Sequence, residues 1–417
     1  MKRPWSLVAA GCCVALIAAG CAAAVQGTGD KKDDSQGGVQ TEEDERQCNL
    51  DVIHPMAYSN VDGLKLEPGT RISVIGRGSS SAYWSEIKAG AEKAVEDINK
   101  KFGYKGSDKI TLVYSAPQTE TDVDDQVNIL DEELARYPAA IGIAAVDADA
   151  CEVQFDLAAE NHIQIVAFDS GTHYPDIMSM VDTDNLEAAY TAASKLCDSI
   201  GENGDMLLLV HDSKSTSAQK REEGFVNAIH EDHPEVKIAG VYRLDELEEM
   251  QKTIQAERSP GEDIPGQEMS EGSEDPADPA DDEGTAEPKE MDDLEEAVED
   301  MTQEDVVKYL LEKNPDIKGI FTTNEEAAKL AVSVLEEMER EDIKIVSFDG
   351  GEDQLELLKD GKLEGLIVQN PYGMGYATVV ACARAILEQA NEAEVNTGYV
   401  WVTKDNLQQE SISKMMY

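Results

Sequence analysis

The sequence is poor in aromatic residues, which make up 5% of its 417 positions, and poor in positive charge, with 35 Lys and Arg against 86 Asp and Glu. The resulting net charge of -51 argues against nucleic acid or an anionic membrane surface as a partner. The apolar run Leu7 to Ala19 is too short to span a bilayer. Cysteine is scarce. Four Cys follow Cys21, namely Cys48, Cys151, Cys197 and Cys382, and their spacings fit neither a zinc site nor a redox pair. Cys151, Cys197 and Cys382 lie in helical, apolar patterns and read as buried small hydrophobes, with a disulfide left open. A Gly-x-Ser-x-Gly elbow, a zinc-spaced His pair and a Walker loop are all missing, so neither a catalytic residue nor a metal or cofactor is expected.

What is present begins with Lys2 and Arg3, the apolar run, and the small residues Ala18-Ala19-Gly20 ahead of Cys21. Charge, apolar core and small-residue exit are those of a secretory signal over residues 1–20. A Cys at that point resembles the lipobox of bacterial lipoproteins, with Ala18 where Leu is usual. The resemblance implies a diacylated Cys21, and two acyl chains suffice for stable anchoring. In the other reading this is an ordinary secretory signal and Cys21 is incidental. Gly27 to Arg46 has almost no large apolar residue, so 21–69 is expected to be a flexible tether.

From Ile72 onward, short β-rich runs alternate with helical periodicity. Ile72 to Ile75, Lys109 to Tyr114, Ala139 to Ala145 and Ile163 to Phe168 read as strands. So do Met206 to Val210, Val236 to Tyr242, Ile317 to Phe321, Ile343 to Phe348 and Leu363 to Val368. Near-continuous apolar runs suit parallel strands covered on both faces. The fold class is therefore α/β, with doubly wound parallel sheets and ligand sites at the carboxyl ends of strands. After Val236 to Tyr242 the pattern breaks into a stretch rich in Glu, Asp, Pro and Gly. Residues 251–295 are expected to be a disordered acidic insertion in a surface loop. Calcium capture is a weaker reading of it, because EF-hand spacing is missing.

Several stretches, in order, resemble the sugar-type periplasmic binding proteins of ABC transporters, the ribose- and galactose-binding group. Ser79-Ser-Ser81-Ala-Tyr83-Trp84 stands where relatives carry aromatics that stack on a sugar. Phe168-Asp169-Ser170-Gly171 resembles the strand end whose Asp accepts hydrogen bonds from adjacent hydroxyls, although Ser170 replaces a frequent Arg. Ser215 to Phe225 resembles the loop and helix that present a sugar-binding Arg, here Arg221. Phe321-Thr-Thr-Asn324, Phe348-Asp349-Gly350 and Val368-Gln369-Asn-Pro371 resemble the remaining polar strand ends. Each could separately be a turn or cap residue. Thr183-Asp184-Asn185 matches a stretch near the first crossing and reads as a helix cap.

The resemblance implies two lobes, 70–182 plus 370–397 and 183–369 plus 398–417, with hinges near Val181 to Asn185, Gln369 to Tyr372 and Asn396 to Tyr399. It implies ligand contacts from Ser81, Tyr83, Trp84, Asp169, Ser170, Arg221, Asn324, Asp349 and Gln369. The expected activity is capture of a small ligand, a monosaccharide first, by a monomer that closes on it and meets an ABC transporter permease. A sensory lipoprotein presenting a sugar, nucleoside or signalling molecule to a membrane receptor is the alternative. Location is extracytoplasmic, and the membrane is met through the lipid anchor only. Ala144-Ala145 and the aromatic-free insertion are departures that weaken the match to sugar.

Overall fold

The computed structural model describes residues 42–258 and 300–417. The described residues form twelve strands: β1 (Arg71–Ile75), β2 (Thr111–Ser115), β3 (Ala140–Ile143), β4 (Gln164–Phe168), β5 (Met180–Asp182), β6 (Gly204–Val210), β7 (Val236–Arg243), β8 (Ile317–Thr322), β9 (Lys344–Phe348), β10 (Gly365–Gln369), β11 (Glu394–Asn396) and β12 (Tyr399–Val402). They divide into two six-stranded sheets of order β11-β5-β4-β3-β1-β2 and β12-β10-β9-β8-β6-β7. Every pairing is parallel except that of β10 with β12.

Parallel strands require helical crossovers, which cover both faces of each sheet. Two apolar clusters flank the first sheet, around Ile72, Val74 and Phe168 and around Ile75, Ile141 and Phe155. Two more flank the second, around Leu207, Ile320 and Ile345 and around Leu208, Phe321 and Phe348. The sheets define two lobes, and among the described residues the chain changes lobe three times. It leaves β5 for the helix Asn185–Ile200, leaves β10 for the helix Pro371–Ile386, and passes from β11 to β12.

Glycine sets the closest approach in each lobe. In the first, the helices Ala82–Phe102 and Pro371–Ile386 cross at Gly90 and Gly375. A Cβ on Gly90 would stand 1.9 Å from the Tyr372 carbonyl oxygen, and one on Gly375 would stand 1.9 Å from that of Ile87. In the second, Gly224 of the helix Thr216–Asp232 meets Leu186, where a Cβ would stand 2.4 Å from the carbonyl oxygen.

Two expectations need correction. Residues 42–69, read as part of a flexible tether, are folded. They contain the helix Glu42–Asp51, and Leu50, Ile53, Tyr58, Val61, Leu64 and Leu66 are buried in the first lobe's core. These apolar residues are spaced too irregularly to read as one element, yet together they bury enough surface to order the segment. The Asn49 side chain donates to Asn370 at 3.1 Å, and His54 exchanges backbone bonds with Asn396, so the segment is fastened beside two of the crossings. A helix also follows β7, Leu247–Arg258, with Ile254 buried. Its acidic residues hid the stripe of Leu247, Met250 and Ile254, and it takes in 251–258 of the expected insertion. Residues 259–295 of that insertion, the signal segment and Cys21 lie outside the described residues. No helix of the described residues is long and apolar enough to cross a membrane.

Candidate functional site

The carboxyl ends of both sheets face a cavity of about 540 Å³, within the usual range for small-molecule sites. Its floor is built twice from the same local sequence. β4 ends in Phe168-Asp169 and β9 in Phe348-Asp349, and both aspartates take left-handed backbone, with φ of 56° and 79°. That conformation costs an L-residue about 1 kcal/mol and concentrates at functional positions. In each lobe the Asp amide donates to the neighbouring strand, to the carbonyl of Val181 at 3.0 Å or of Ile367 at 2.9 Å. The turn thus throws the carboxylate out of the sheet edge and into the cavity.

The surroundings of the two carboxylates differ. Tyr83, in the first turn of the helix Ala82–Phe102, donates its hydroxyl to Asp169 Oδ1 at 2.5 Å. Asp349 accepts from Gln369 Nε2 at 2.7 Å and from the Glu325 amide at 3.3 Å. Burial pushes the Asp349 carboxyl above its ordinary range, against the pull of the Arg221 guanidinium and the Gln369 bond. Burial also raises the Tyr83 hydroxyl well above its usual value, and the nearby Asp169 charge adds to this.

Arg221 is 4% exposed. Its Nε donates to Asn185 Oδ1 at 2.8 Å, an Nη to the Thr323 carbonyl at 2.7 Å, and its guanidinium lies 4.1 Å from the centre of the Phe348 ring. These contacts hold one orientation and leave donors toward the cavity. Asn185, read as part of a cap, is therefore a positioning residue for Arg221, while Asp184 caps its helix by accepting from the Glu187 amide. Asn324 caps the helix Glu325–Glu337 by accepting from Ala327 N through Oδ1, which leaves its amide NH₂ on the cavity side.

Ser81, Tyr83, Trp84, Asp169, Arg221, Asn324, Asp349 and Gln369 all line the cavity. Ser170 does not. Its hydroxyl is buried and donates to the Ala145 carbonyl at 2.5 Å, because Asp169's left-handed turn carries the next residue back under the sheet edge. Trp84 is 2% exposed and donates Nε1 to Glu120 at 2.7 Å, so it forms a wall of the cavity and offers little open face.

Sequence reading missed Arg77, Glu120, His211, Asp212 and Tyr417, which also line the cavity. Arg77 lies one residue past the end of β1, after Gly76, and the His211-Asp212 pair directly follows β6, so the strand-end rule could have found them. Tyr417 carries no such signal. Its ring meets Tyr83 edge-on at 5.5 Å, and its hydroxyl accepts from the Gly350 amide at 3.1 Å. Arg77 of the first lobe pairs with Asp212 of the second at 2.9 Å, both nearly buried. Burial works against the Asp212 charge, but His211, Arg77 and the Ser215 amide hold its carboxyl well below the usual range. Burial lowers His211 to about 3, so its ring is neutral near pH 7. Further links cross the cleft: the Thr216 amide donates to the Ser170 carbonyl at 3.1 Å, and the Ala148 amide to that of Lys214 at 3.4 Å.

A family model described as a periplasmic binding protein domain matches residues 72–266 and 285–390. The chain belongs to the periplasmic binding protein domain family. The break in the match, 267–284, falls inside the acidic stretch. A ribose import binding protein of Haemophilus influenzae is 20% identical over 75% of this chain and 84% of its own length. A xylitol-binding protein of Mycolicibacterium smegmatis is 21% identical over 73% and 72%. Among solved structures, a carbohydrate transporter solute-binding protein from Agrobacterium radiobacter, in complex with D-arabinose, is 25% identical with a TM-score of 0.62, covering 84% of this chain and 99% of that one.

Metal-ligating atoms of Cys197, Glu202 and His233 gather within 4.8 Å of one another near the far ends of the helices Asn185–Ile200 and Thr216–Asp232. The bond of 2.7 Å between His233 Nδ1 and Glu202 accounts for that grouping.

Proposed function

We propose that this chain is an extracytoplasmic binding lipoprotein that captures a monosaccharide between its lobes and delivers it to an ABC transporter permease. The observation that carries this reading is the paired strand ends, Asp169 from one lobe and Asp349, Arg221 and Asn324 from the other, facing one cavity. A polyol presents adjacent hydroxyls that both donate and accept, and carboxylate, guanidinium and amide groups on opposite sides meet both needs. Contacts from both lobes favour the closed form by differential affinity, so that ligand occupancy becomes a shape a permease can recognise. The names of the relatives, which include ribose, xylitol and D-arabinose, support a sugar or sugar alcohol.

Thermal-shift screening of the mature chain against pentoses, hexoses, sugar alcohols and nucleosides tests the reading. A monosaccharide should raise the melting temperature, and a panel without any shift would overturn it. Acylation at Cys21 is tested separately by fractionation, where Cys21→Ser should release the protein from the membrane. A variant that stays membrane-bound would contradict the anchor.

A further inference from the structure

The charges around the cavity do not balance. Arg77 is committed to Asp212. Glu325 and Glu326 share Lys329, at 3.9 and 2.5 Å, and Asp245 accepts from the amide and hydroxyl of Ser213 at the rim. Asp169, Asp349 and Glu120, with Asp212, make four carboxylates against the two guanidiniums of Arg77 and Arg221, and Arg77 also donates an Nη to the Glu120 carbonyl at 3.3 Å and acts on its carboxylate. Among the described residues, none of Asp169, Asp349 and Glu120 forms an ion pair with a Lys or Arg nitrogen within 4 Å. Their hydrogen bonds come from neutral donors instead: the Tyr83 hydroxyl, the Trp84 indole, and the Gln369 amide with the Glu325 backbone.

A neutral sugar would enter such a site without offsetting the surplus of about two negative charges. Burial pushes the Asp349 and Glu120 carboxyls upward, against the pull of Arg221 on the first and of Arg77 and the Trp84 indole on the second, so both anions are incompletely compensated. A second observation points to the rest of the ligand. Arg77 is 5% exposed and lines the cavity, and its Nε is buried with no hydrogen-bond partner. A buried donor of this kind needs an acceptor, which a ligand hydroxyl would supply. The edge-to-face pair of Tyr83 and Tyr417 adds aromatic surface that attracts a cation.

We propose that the ligand carries a protonated amine beside its hydroxyls, as an amino sugar or amino-polyol does. The amine would lie among Asp169, Asp349 and Glu120, and a hydroxyl would face Arg77. This inference rests on the cavity being the ligand site.

Calorimetry on the full-length mature chain tests it with matched sets: D-glucosamine, D-glucose and N-acetyl-D-glucosamine, and the corresponding galactose and mannose compounds. N-acetylation keeps the substituent and removes the charge. In at least one set the amine should bind about tenfold tighter, or more, than both neutral members. A neutral member that binds as tightly as the amine in every set overturns the inference and leaves the sugar reading standing. Failure of every compound to bind overturns the inference, and the sugar reading falls with it only if the pentoses and sugar alcohols of the screening panel are silent too. Glu120→Gln should reduce the preference for amine over neutral sugar several-fold, and an unchanged ratio would overturn the assignment of the charge to these carboxylates.

Discussion

The two lobes repeat one plan with different fittings. Each ends a central strand in Phe-Asp with a left-handed aspartate, and each packs a crossing helix against the helix after its first strand. In the first lobe both helices of that pair contribute a glycine, Gly90 and Gly375, whereas in the second Gly224 meets the backbone of Leu186. The first lobe surrounds its aspartate with aromatic and carboxylate groups, Tyr83, Trp84 and Glu120. The second surrounds its own with Arg221, Asn324 and Gln369. The repeated feature is the one that aims a carboxylate. The variable features set what the carboxylate sees, so specificity belongs to the differences between lobes.

The packing side of that comparison gives the largest expected effect. Gly375→Ala drives a Cβ into a helix backbone and should destabilise the first lobe by about 3 kcal/mol, while Gly224→Ala should cost nearer 1–2 kcal/mol. Urea denaturation would check this, and equal losses would remove the distinction between the two crossings. Next, Arg221→Ala should weaken ligand binding by about 100-fold, the scale of a lost charge-assisted contact. Calorimetry would check it, with a loss under threefold counting against Arg221 as a contact. Arg77→Met leaves Asp212 charged and buried, and should weaken binding by about tenfold. Adding Asp212→Leu should restore part of the loss, because an apolar pair replaces a broken ionic one.

The smallest effect tests a contact at the crossing. Asp182 of the first lobe lies 3.4 Å from Lys220 of the second, and burial raises its carboxyl to about 7 despite Lys220. The folded state therefore holds a proton that the unfolded chain releases near pH 4. Stability from this group is full below about pH 4 and is lost as pH rises through about 7. Asp182→Asn should escape that loss and gain about 1 kcal/mol at pH 8 relative to wild type, with the gain vanishing by pH 4. Thermal melts across that range would show it, and a pH-independent difference would contradict it.

The α/β class was legible from the alternation of apolar runs with helical spacing, because strands buried on both faces must be apolar throughout. Eight of the nine site residues that the resemblance implied line one cavity: Asp169, Asn324, Asp349 and Gln369 at or just past strand ends, and Ser81, Tyr83, Trp84 and Arg221 in the cap or first turns of the helices that follow. Ser170 failed since the left-handed turn at Asp169, invisible in sequence, reverses the next side chain. Residues 42–69 failed for a different reason: their apolar residues follow no period, and only the finished first lobe gives them a surface to cover. The positions of Arg77 and Asp212 just past strand ends were open to the strand-end rule, but their pairing, like the place of Tyr417, depends on contacts between distant parts of the chain, which local pattern does not encode.

The central claim is that one small ligand is held by both lobes at once. Calorimetry of Asp169→Asn, Asp349→Asn and the double variant, with the tightest-binding sugar of the panel, tests it most directly. Each single change should weaken one-to-one binding by about tenfold, and the double by about 100-fold. If one aspartate accounts for the whole loss and the other for none, the ligand sits on a single lobe and the account is wrong.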